Sequence, residues 1–121
     1  MDLGRHRRIR RGLIGAALLA AHLATPAAEA WRFDIEPRGF DEHCLHLGAG
    51  EAIRWRFTAT GTVDFNIHAH RGNEVIYPVR RHGVSRASGS FRSRAAEDYC
   101  LMWTNKDVAA VSLRGSVERL R

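Results

Sequence analysis

Apolar and polar residues alternate with a period of two over most of the chain after residue 30. The alternation is clearest in residues 53–57, 63–67 and 99–103, where apolar side chains occupy every second position. This pattern is typical of β-strands that turn one face to the core and the other to solvent. No stretch after residue 30 has a convincing helical period. The sequence therefore predicts an all-β domain.

Turn-forming residues separate the alternating segments. They are Gly48–Gly50, Thr60–Gly61, Arg71–Asn73, Ser88–Gly89 and Asn105–Asp107. About seven or eight short antiparallel strands with turns at this spacing are typical of a β-sandwich or jelly roll.

The phase of the alternation predicts which side chains form the core. We expect these residues to be buried together: Trp55, Phe57, Phe65, Ile67, Tyr99, Leu101 and Trp103. The residues of opposite phase, Arg54, Arg56, Asn66 and His68, are expected to be exposed.

The first thirty residues differ from the rest. Five arginines occur in the first eleven positions, and an apolar run from Leu13 to Ala24 follows. Small residues at Ala28 and Ala30 complete the pattern of a secretory signal peptide. We therefore predict a signal peptide over residues 1–30, cleavage before Trp31, and a single domain over 31–121 in the periplasm or outside the cell. The segment Arg10–Ile14 also resembles a twin-arginine export motif, so the export route stays open.

Removing the predicted signal peptide changes the charge of the chain. The whole sequence has a formal net charge of +6, whereas residues 31–121 carry 14 basic and 11 acidic side chains, a net charge of +3. The remaining arginines are scattered along the sequence, without the clustered stripe typical of nucleic-acid binding. We expect neither nucleic-acid binding nor a membrane span in the mature chain.

Two cysteines, Cys44 and Cys100, lie on different predicted strands. In an oxidising compartment a disulfide between them is the default expectation. The alternative is a free Cys100 thiolate in a cupredoxin-like site of His, Cys and Met ligands, which would leave Cys44 unpaired.

The order of the segments resembles the GOLD (Golgi-dynamics) β-sandwich in the lumenal part of Golgi cargo receptors. The resemblance covers about residues 40–118 and rests on a cysteine-bearing strand, Gly50–Ala59, Val63–Ile67, Glu74–Tyr77 and Asp98–Asn105. It implies a β-sandwich in which the early cysteine bonds the late one. The chain shows no coiled coil, membrane helix or sorting tail, so we expect the fold without the cargo-receptor function.

A second resemblance lies in His68-Ala-His70-Arg-Gly-Asn-Glu74. It is similar to the first metal motif of cupins, which are jelly rolls that hold iron, manganese or another metal with three His and one Glu. The histidine expected in the second cupin motif is absent, because Leu101 stands four residues before Asn105. A degenerate cupin-like metalloenzyme is thus the alternative function.

His68 and His70 are the strongest candidates for chemistry. Two positions apart on one strand, they leave the same face, and such a pair can hold one Zn or Cu ion. Glu74, or His46 with Met102, could complete the site, since His46 shares a face with Cys44 and Met102 with Cys100. His and Met ligands in an oxidising compartment favour copper.

The sequence offers no convincing catalytic arrangement. The leading hypothesis is therefore an exported, non-enzymatic binding or interaction module, with a metal ion or an unidentified protein as its partner.

Overall fold

The computed structural model describes residues 12, 15–17 and 28–120. The predicted signal peptide lies outside these residues except for positions 12, 15–17 and 28–30. Six strands make up the fold: β1 (Glu29–Ile35), β2 (Phe40–Leu47), β3 (Ala52–Arg71), β4 (Glu74–Arg92), β5 (Glu97–Thr104) and β6 (Val111–Leu120). No helix in the described part of the chain is long and apolar enough to cross a membrane.

All strand pairs are antiparallel, and the sheet curls into a two-layered sandwich. The strand order is β1-β6-β3-β5-β2, with β4 paired to the other edge of β3. The first half of β3 pairs with β6 and its second half with β5. The first layer thus contains β1, β6 and the start of β3, and the second layer contains β2, β5 and the end of β3. The predicted all-β sandwich class is confirmed.

The two longest strands explain why six strands are present where about seven or eight were predicted. β3 has 20 residues and β4 has 19, and both run through the two layers. Where they cross, β3 inserts residues 59–62 opposite the single residue Ser85 of β4. Each strand therefore contributes one segment to each layer.

Two predicted turns are wrong because they lie within the two long strands. Thr60–Gly61 and Ser88–Gly89 both lie within strands, and both glycines are sites of close packing. A Cβ on Gly61 would lie 2.9 Å from Val111, and one on Gly89 would lie 2.8 Å from the ring of Trp55. These glycines make room for a neighbouring side chain instead of turning the chain.

The core lies between the layers and follows the predicted phase. All seven residues predicted to be buried are less than 4% exposed. Trp103 of the second layer contacts Trp31 and Phe33 of the first layer, with ring centroids 5.5 and 5.8 Å apart. Arg54 and Arg56 are exposed as predicted, Asn66 is half-buried, and His68 is buried.

Asn105 ties the end of β1 to the loop that follows β5. Its amide nitrogen donates to the carbonyl oxygens of Ile35 and Ala109 at 3.1 and 2.8 Å, and its Oδ1 accepts from the backbone of Asp107. The residue is completely buried, and these bonds satisfy its amide group.

Candidate functional site

The outer face of the second layer gathers most of the predicted site residues, and we call it the histidine face. It is formed by Glu42, Cys44, His46, Asp64, Asn66, His68, His70, Asp98, Cys100 and Met102. Alternation along β2, β3 and β5 places these side chains on one side, and the strand register aligns them in rows.

The central row contains the disulfide. Cys44 lies opposite Cys100 on β5, and Cys100 lies opposite His68 on β3. The two sulfur atoms are 2.00 Å apart and the Cα atoms 4.0 Å apart, which confirms the predicted disulfide. The alternative of a free Cys100 thiolate in a cupredoxin-like site is therefore wrong for this structure.

His68 is only 6% exposed, contrary to the prediction that it would be exposed. It occupies an inner strand of the layer, with the disulfide on one side. On the other side β4 forms a bulge, in which Tyr77 and Pro78 stand opposite the single residue His68. The ring of Tyr77 lies 5.9 Å from the imidazole, and the Arg80 guanidinium stacks on Tyr77 at 4.2 Å.

The surroundings of His68 define its protonation. Burial lowers its pKa below the ordinary 6.5, the nearby Glu42 carboxylate opposes this shift, and His70 adds to it. Its Nδ1 lies 2.7 Å from Oδ1 of Asn66. Because an amide oxygen only accepts, Nδ1 carries the proton, and the lone pair of the neutral imidazole is on Nε2.

Nε2 of His68 faces Glu42 of β2, across the disulfide. The distance from Nε2 to the carboxylate oxygen of Glu42 is 3.9 Å. Among the described residues, Glu42, His68 and Cys100 form the one group of three potential ligands whose ligand atoms all lie within 4.8 Å of one another. The Cys100 sulfur is bonded to Cys44, which leaves the imidazole and the carboxylate as the available ligands.

Of the predicted partners of His68, His70 lies nearby and Glu74 does not join the group. The rings of His68 and His70 meet edge to face, with centroids 5.4 Å apart. Glu74 pairs with Arg71 at the tip of the β3–β4 hairpin and is exposed. The carboxylate near the imidazole is therefore that of Glu42, which the sequence reasoning missed.

His46 and Met102 lie on opposite sides of the disulfide. His46 is opposite Asp98, whereas Met102 is opposite Glu42, four residues further along β5. Four residues of a strand span about 13 Å, too far for both side chains to bind one ion with His68. The predicted combination of His46 with Met102 is therefore wrong.

A shallow cleft of about 480 Å³ lies beside the disulfide, lined in part by His46, His70 and Asp98. His46 Nδ1 contacts Asp98 at 2.8 Å. Glu97 also borders the cleft, but Arg71 donates a hydrogen bond to it at 2.6 Å and lowers its pKa. The cleft thus presents two exposed imidazoles beside the Glu42–His68 pair.

The sequence matches no protein-family model and no curated protein. Similar folds occur among solved structures. PliG of Aeromonas hydrophila, a periplasmic inhibitor of g-type lysozyme, has a TM-score of 0.58 at 12% identity over 78% of this chain and 88% of PliG. The mitogen derived from Yersinia pseudotuberculosis has a TM-score of 0.57 at 11% identity, covering 77% of this chain and 86% of the mitogen.

The pre-peptidase C-terminal domain of a Bacillus anthracis collagenase has a TM-score of 0.55 at 12% identity, covering 77% of this chain and 89% of that domain. At such identities these likenesses concern the fold alone. None of the three is described as a GOLD domain or a cupin, so both resemblances stay predictions.

Proposed function

We propose that this protein is an exported, non-enzymatic binding module whose histidine face holds copper or another divalent metal ion. The observation that carries the proposal is the approach of His68 Nε2 to the Glu42 carboxylate at 3.9 Å. Ligand bonds of about 2.0–2.2 Å allow two atoms at this separation to share one ion.

The protonation of His68 supports this role. A metal-binding histidine must be neutral, and its second ring nitrogen usually donates to an oxygen that fixes the orientation of the ring. Burial favours the neutral imidazole, and Asn66 accepts the proton of Nδ1. Nε2 is thereby directed towards Glu42 with its lone pair available.

His70 is the proposed third ligand, since its ring adjoins that of His68 and its side chain is exposed. Two imidazoles and one carboxylate suit Cu²⁺ or Zn²⁺. β3 and β5 are paired, and the disulfide joins β5 to β2, so the backbone already fixes the spacing of the ligands.

Export is supported by the disulfide, by the predicted signal peptide and by the likeness to a periplasmic fold neighbour. We expect the intact mass of the exported form to correspond to residues 31–121. β1 begins at Glu29, which lies 3.0 Å from His43, so cleavage before Trp31 would remove this contact. An exported species that retains the apolar segment 13–24 would contradict the prediction.

The binding role without catalysis is supported by the kinds of protein that share the fold, an inhibitor and a mitogen among them. An unidentified protein partner is compatible with the same module. The metal proposal is the part that can be tested on the purified protein alone.

Calorimetric titration with Cu²⁺ and Zn²⁺ tests the site. We expect Glu42→Gln and His68→Ala to weaken binding about tenfold or more, since both remove a ligand. His82→Ala is the matched control, because His82 is exposed on β4 and lies next to Asp64 instead of Glu42. Affinity is also expected to fall at acidic pH, because His68 binds a metal ion only when it is neutral; since burial lowers the pKa of His68, the fall lies below the ordinary 6.5.

Equal binding by the parent and by the Glu42→Gln variant would overturn the site even if His68→Ala failed to fold. The metal content of protein purified from its native compartment tests the alternative function. Stoichiometric iron or manganese, together with oxygen-dependent turnover, would favour the cupin-like metalloenzyme over the binding module.

A further inference from the structure

The outer face of the first layer has a different chemistry, and we call it the arginine face. It carries five exposed arginines from four neighbouring strands: Arg32 of β1, Arg114 of β6, Arg54 and Arg56 of β3, and Arg86 of β4. The same face carries two carboxylates, Asp34 and Glu118. Arginines that look scattered in the sequence are thus collected by the strand order.

Four of these arginines lack a carboxylate partner. Arg54 lies 3.8 Å from Glu118, but Arg32, Arg56, Arg86 and Arg114 have no carboxylate within 4.0 Å among the residues that the structure describes. Arg32 stands directly opposite Arg114 in the register of β1 and β6. Like charges in this position destabilise a sheet, so the arrangement is not explained by stability.

Small side chains fill the spaces between the arginines. Arg56 and Arg114 border a cleft of about 360 Å³ whose remaining lining consists of Ala30, Phe57, Thr58, Gly115 and Ser116. A second cleft of about 180 Å³ is lined by Arg54, Arg56, Ser116, Ala28 and Glu118, the last of which brings one carboxylate to it. The two clefts lie next to each other along β3 and β6, since Arg56 and Ser116 border both.

We propose that the arginine face binds an anionic polysaccharide, a chain of sugars that bears sulfate, phosphate or carboxylate groups. The planar guanidinium donates paired hydrogen bonds to such oxyanions. Neighbouring strands are about 4.8 Å apart, so the row Arg32–Arg114–Thr58–Arg86 spans about 14 Å and meets several charges of a linear polymer. The hydroxyls of Thr58 and Ser88 lie beside the arginine positions, where they can bond to sugar hydroxyls, and the Ser116 hydroxyl accepts a hydrogen bond from Arg56 at 3.2 Å.

The composition of the face argues for a polysaccharide over other polyanions. Among the described residues, the exposed side chains of the face are charged, hydroxyl-bearing or small, and the aromatic residue that borders its larger cleft, Phe57, is buried. Protein interfaces are anchored by buried aromatic and large apolar side chains, and single-stranded nucleic acids stack their bases on aromatic rings. Membrane surfaces bind apolar side chains that enter the lipid. A chain of hydroxyls and fixed charges needs none of these.

The inference is independent of the proposed metal site, which lies on the opposite outer face. All five arginines follow residue 30 and are therefore present in a form that begins at Trp31. Ala28 and Ala30, which border the two clefts, would be removed with the predicted signal peptide.

The test is the binding of a short fluorescent heparin oligosaccharide, a sulfated polysaccharide, to the full chain at low salt. We expect the triple variant Arg32→Ser, Arg56→Ser, Arg114→Ser to bind about tenfold or more weakly, because charge-assisted hydrogen bonds are removed. The control Arg38→Ser, Arg80→Ser, Arg94→Ser loses the same charge away from the face and is expected to bind like the parent. Circular dichroism checks that both variants fold.

Failure of the parent to bind heparin, or equal loss in the two triple variants, would overturn the proposal. Tighter binding of duplex DNA, of polyglutamate or of phosphatidylglycerol vesicles than of heparin would also overturn it, because the occupant would then be a nucleic acid, an acidic peptide or a lipid surface. Selective loss in the arginine-face variant, with heparin the preferred probe, would support it. None of these outcomes depends on metal binding.

Discussion

In the first layer the strands are fastened from the inside, where each of two tryptophan rings lies against a glycine of the neighbouring strand. Trp55 covers Gly89, and Trp31 covers Gly115. In the second layer a disulfide fastens β2 to β5 from the outside. The interior of the second layer carries large side chains such as Tyr99 and Trp103 without a comparable glycine contact.

Because of this difference, the two outer faces are constrained to different degrees in the side chains that they can carry. The histidine face is crossed by the disulfide and by contacts such as His68 with Asn66 and Asp64 with Lys106. Its charges are largely matched. On the arginine face, Arg56 donates to Ser116 and Arg54 lies near Glu118, but Arg32 and Arg114 stand side by side. We expect the charges without a carboxylate partner to be the ones that bind a ligand.

The largest expected effect concerns the disulfide on the outer face of the second layer. Replacing Cys44→Ala and Cys100→Ala together removes a cross-link between residues 56 positions apart. We expect the free energy of unfolding to fall by about 2–5 kcal/mol. The denaturant midpoint measures the change, and Ser88→Ala with Ser90→Ala on the arginine face is the control. A control loss of similar size would remove the contrast between the two faces.

The next effect concerns the packing of tryptophan rings on glycines inside the first layer. Gly89→Ala places a methyl group 2.8 Å from the rigid, buried ring of Trp55, and Ser88→Ala changes the adjacent, outward position. We expect the glycine variant to lose about 1–3 kcal/mol through overpacking, with the serine variant close to the parent. Chemical denaturation followed by tryptophan fluorescence measures both. An unchanged Gly89→Ala protein would show that the ring does not fasten the strands.

A smaller effect distinguishes the faces by pH. The folded pKa of His68 lies below its unfolded value of 6.5 because of burial, so the unfolded chain binds this proton more readily. Stability therefore begins to fall as the pH drops below about 6.5, and this loss is complete once the pH has fallen through the folded pKa. His68→Gln is expected to flatten this part of the profile of unfolding free energy against pH. If the variant kept the parent's slope, a titratable group other than His68 would cause the pH dependence.

The smallest effect has the opposite sign. Arg32→Ser removes one member of the Arg32–Arg114 pair, so we expect a slight rise in the denaturant midpoint at low salt that disappears at high salt. Arg54→Ser is the matched control, because Arg54 has Glu118 as a partner at 3.8 Å. A loss of stability in the Arg32 variant would mean that the arginine face helps to hold its layer after all.

The features that depend on a single strand, such as which side chains face the core, could be predicted from the sequence. Alternation placed Trp55 and Trp103 in the core and gave the two cysteines their common outer face. The alternation failed where contacts with a partner strand determine the environment of a residue. Gly89 looked like a turn because nothing local shows that Trp55 lies across from it, and His68 looked exposed because the Tyr77 bulge belongs to another strand.

The candidate site shows the same limit to what can be predicted from the sequence. Glu42 shares a face with Cys44 and His46, and the period of two could have included it among the candidates. That Glu42 meets His68 depends on the strand order β2-β5-β3, in which β5 brings the two sides together. The grouping of the arginines likewise depends on the order of four strands that are distant in sequence.

β4 pairs only with β3, so its second edge exposes unpaired backbone hydrogen-bonding groups along a strand of 19 residues. An open edge of this length is a template on which another molecule could add a strand and begin to aggregate. Here Pro78 lacks an N–H, Gly83 has a φ of 61° within a bulge, and Arg80, Arg81 and Arg86 repel a second copy. Charge and irregular backbone thus disfavour the addition of a strand at this edge, and we expect neutralising these arginines to favour self-association into extended sheets.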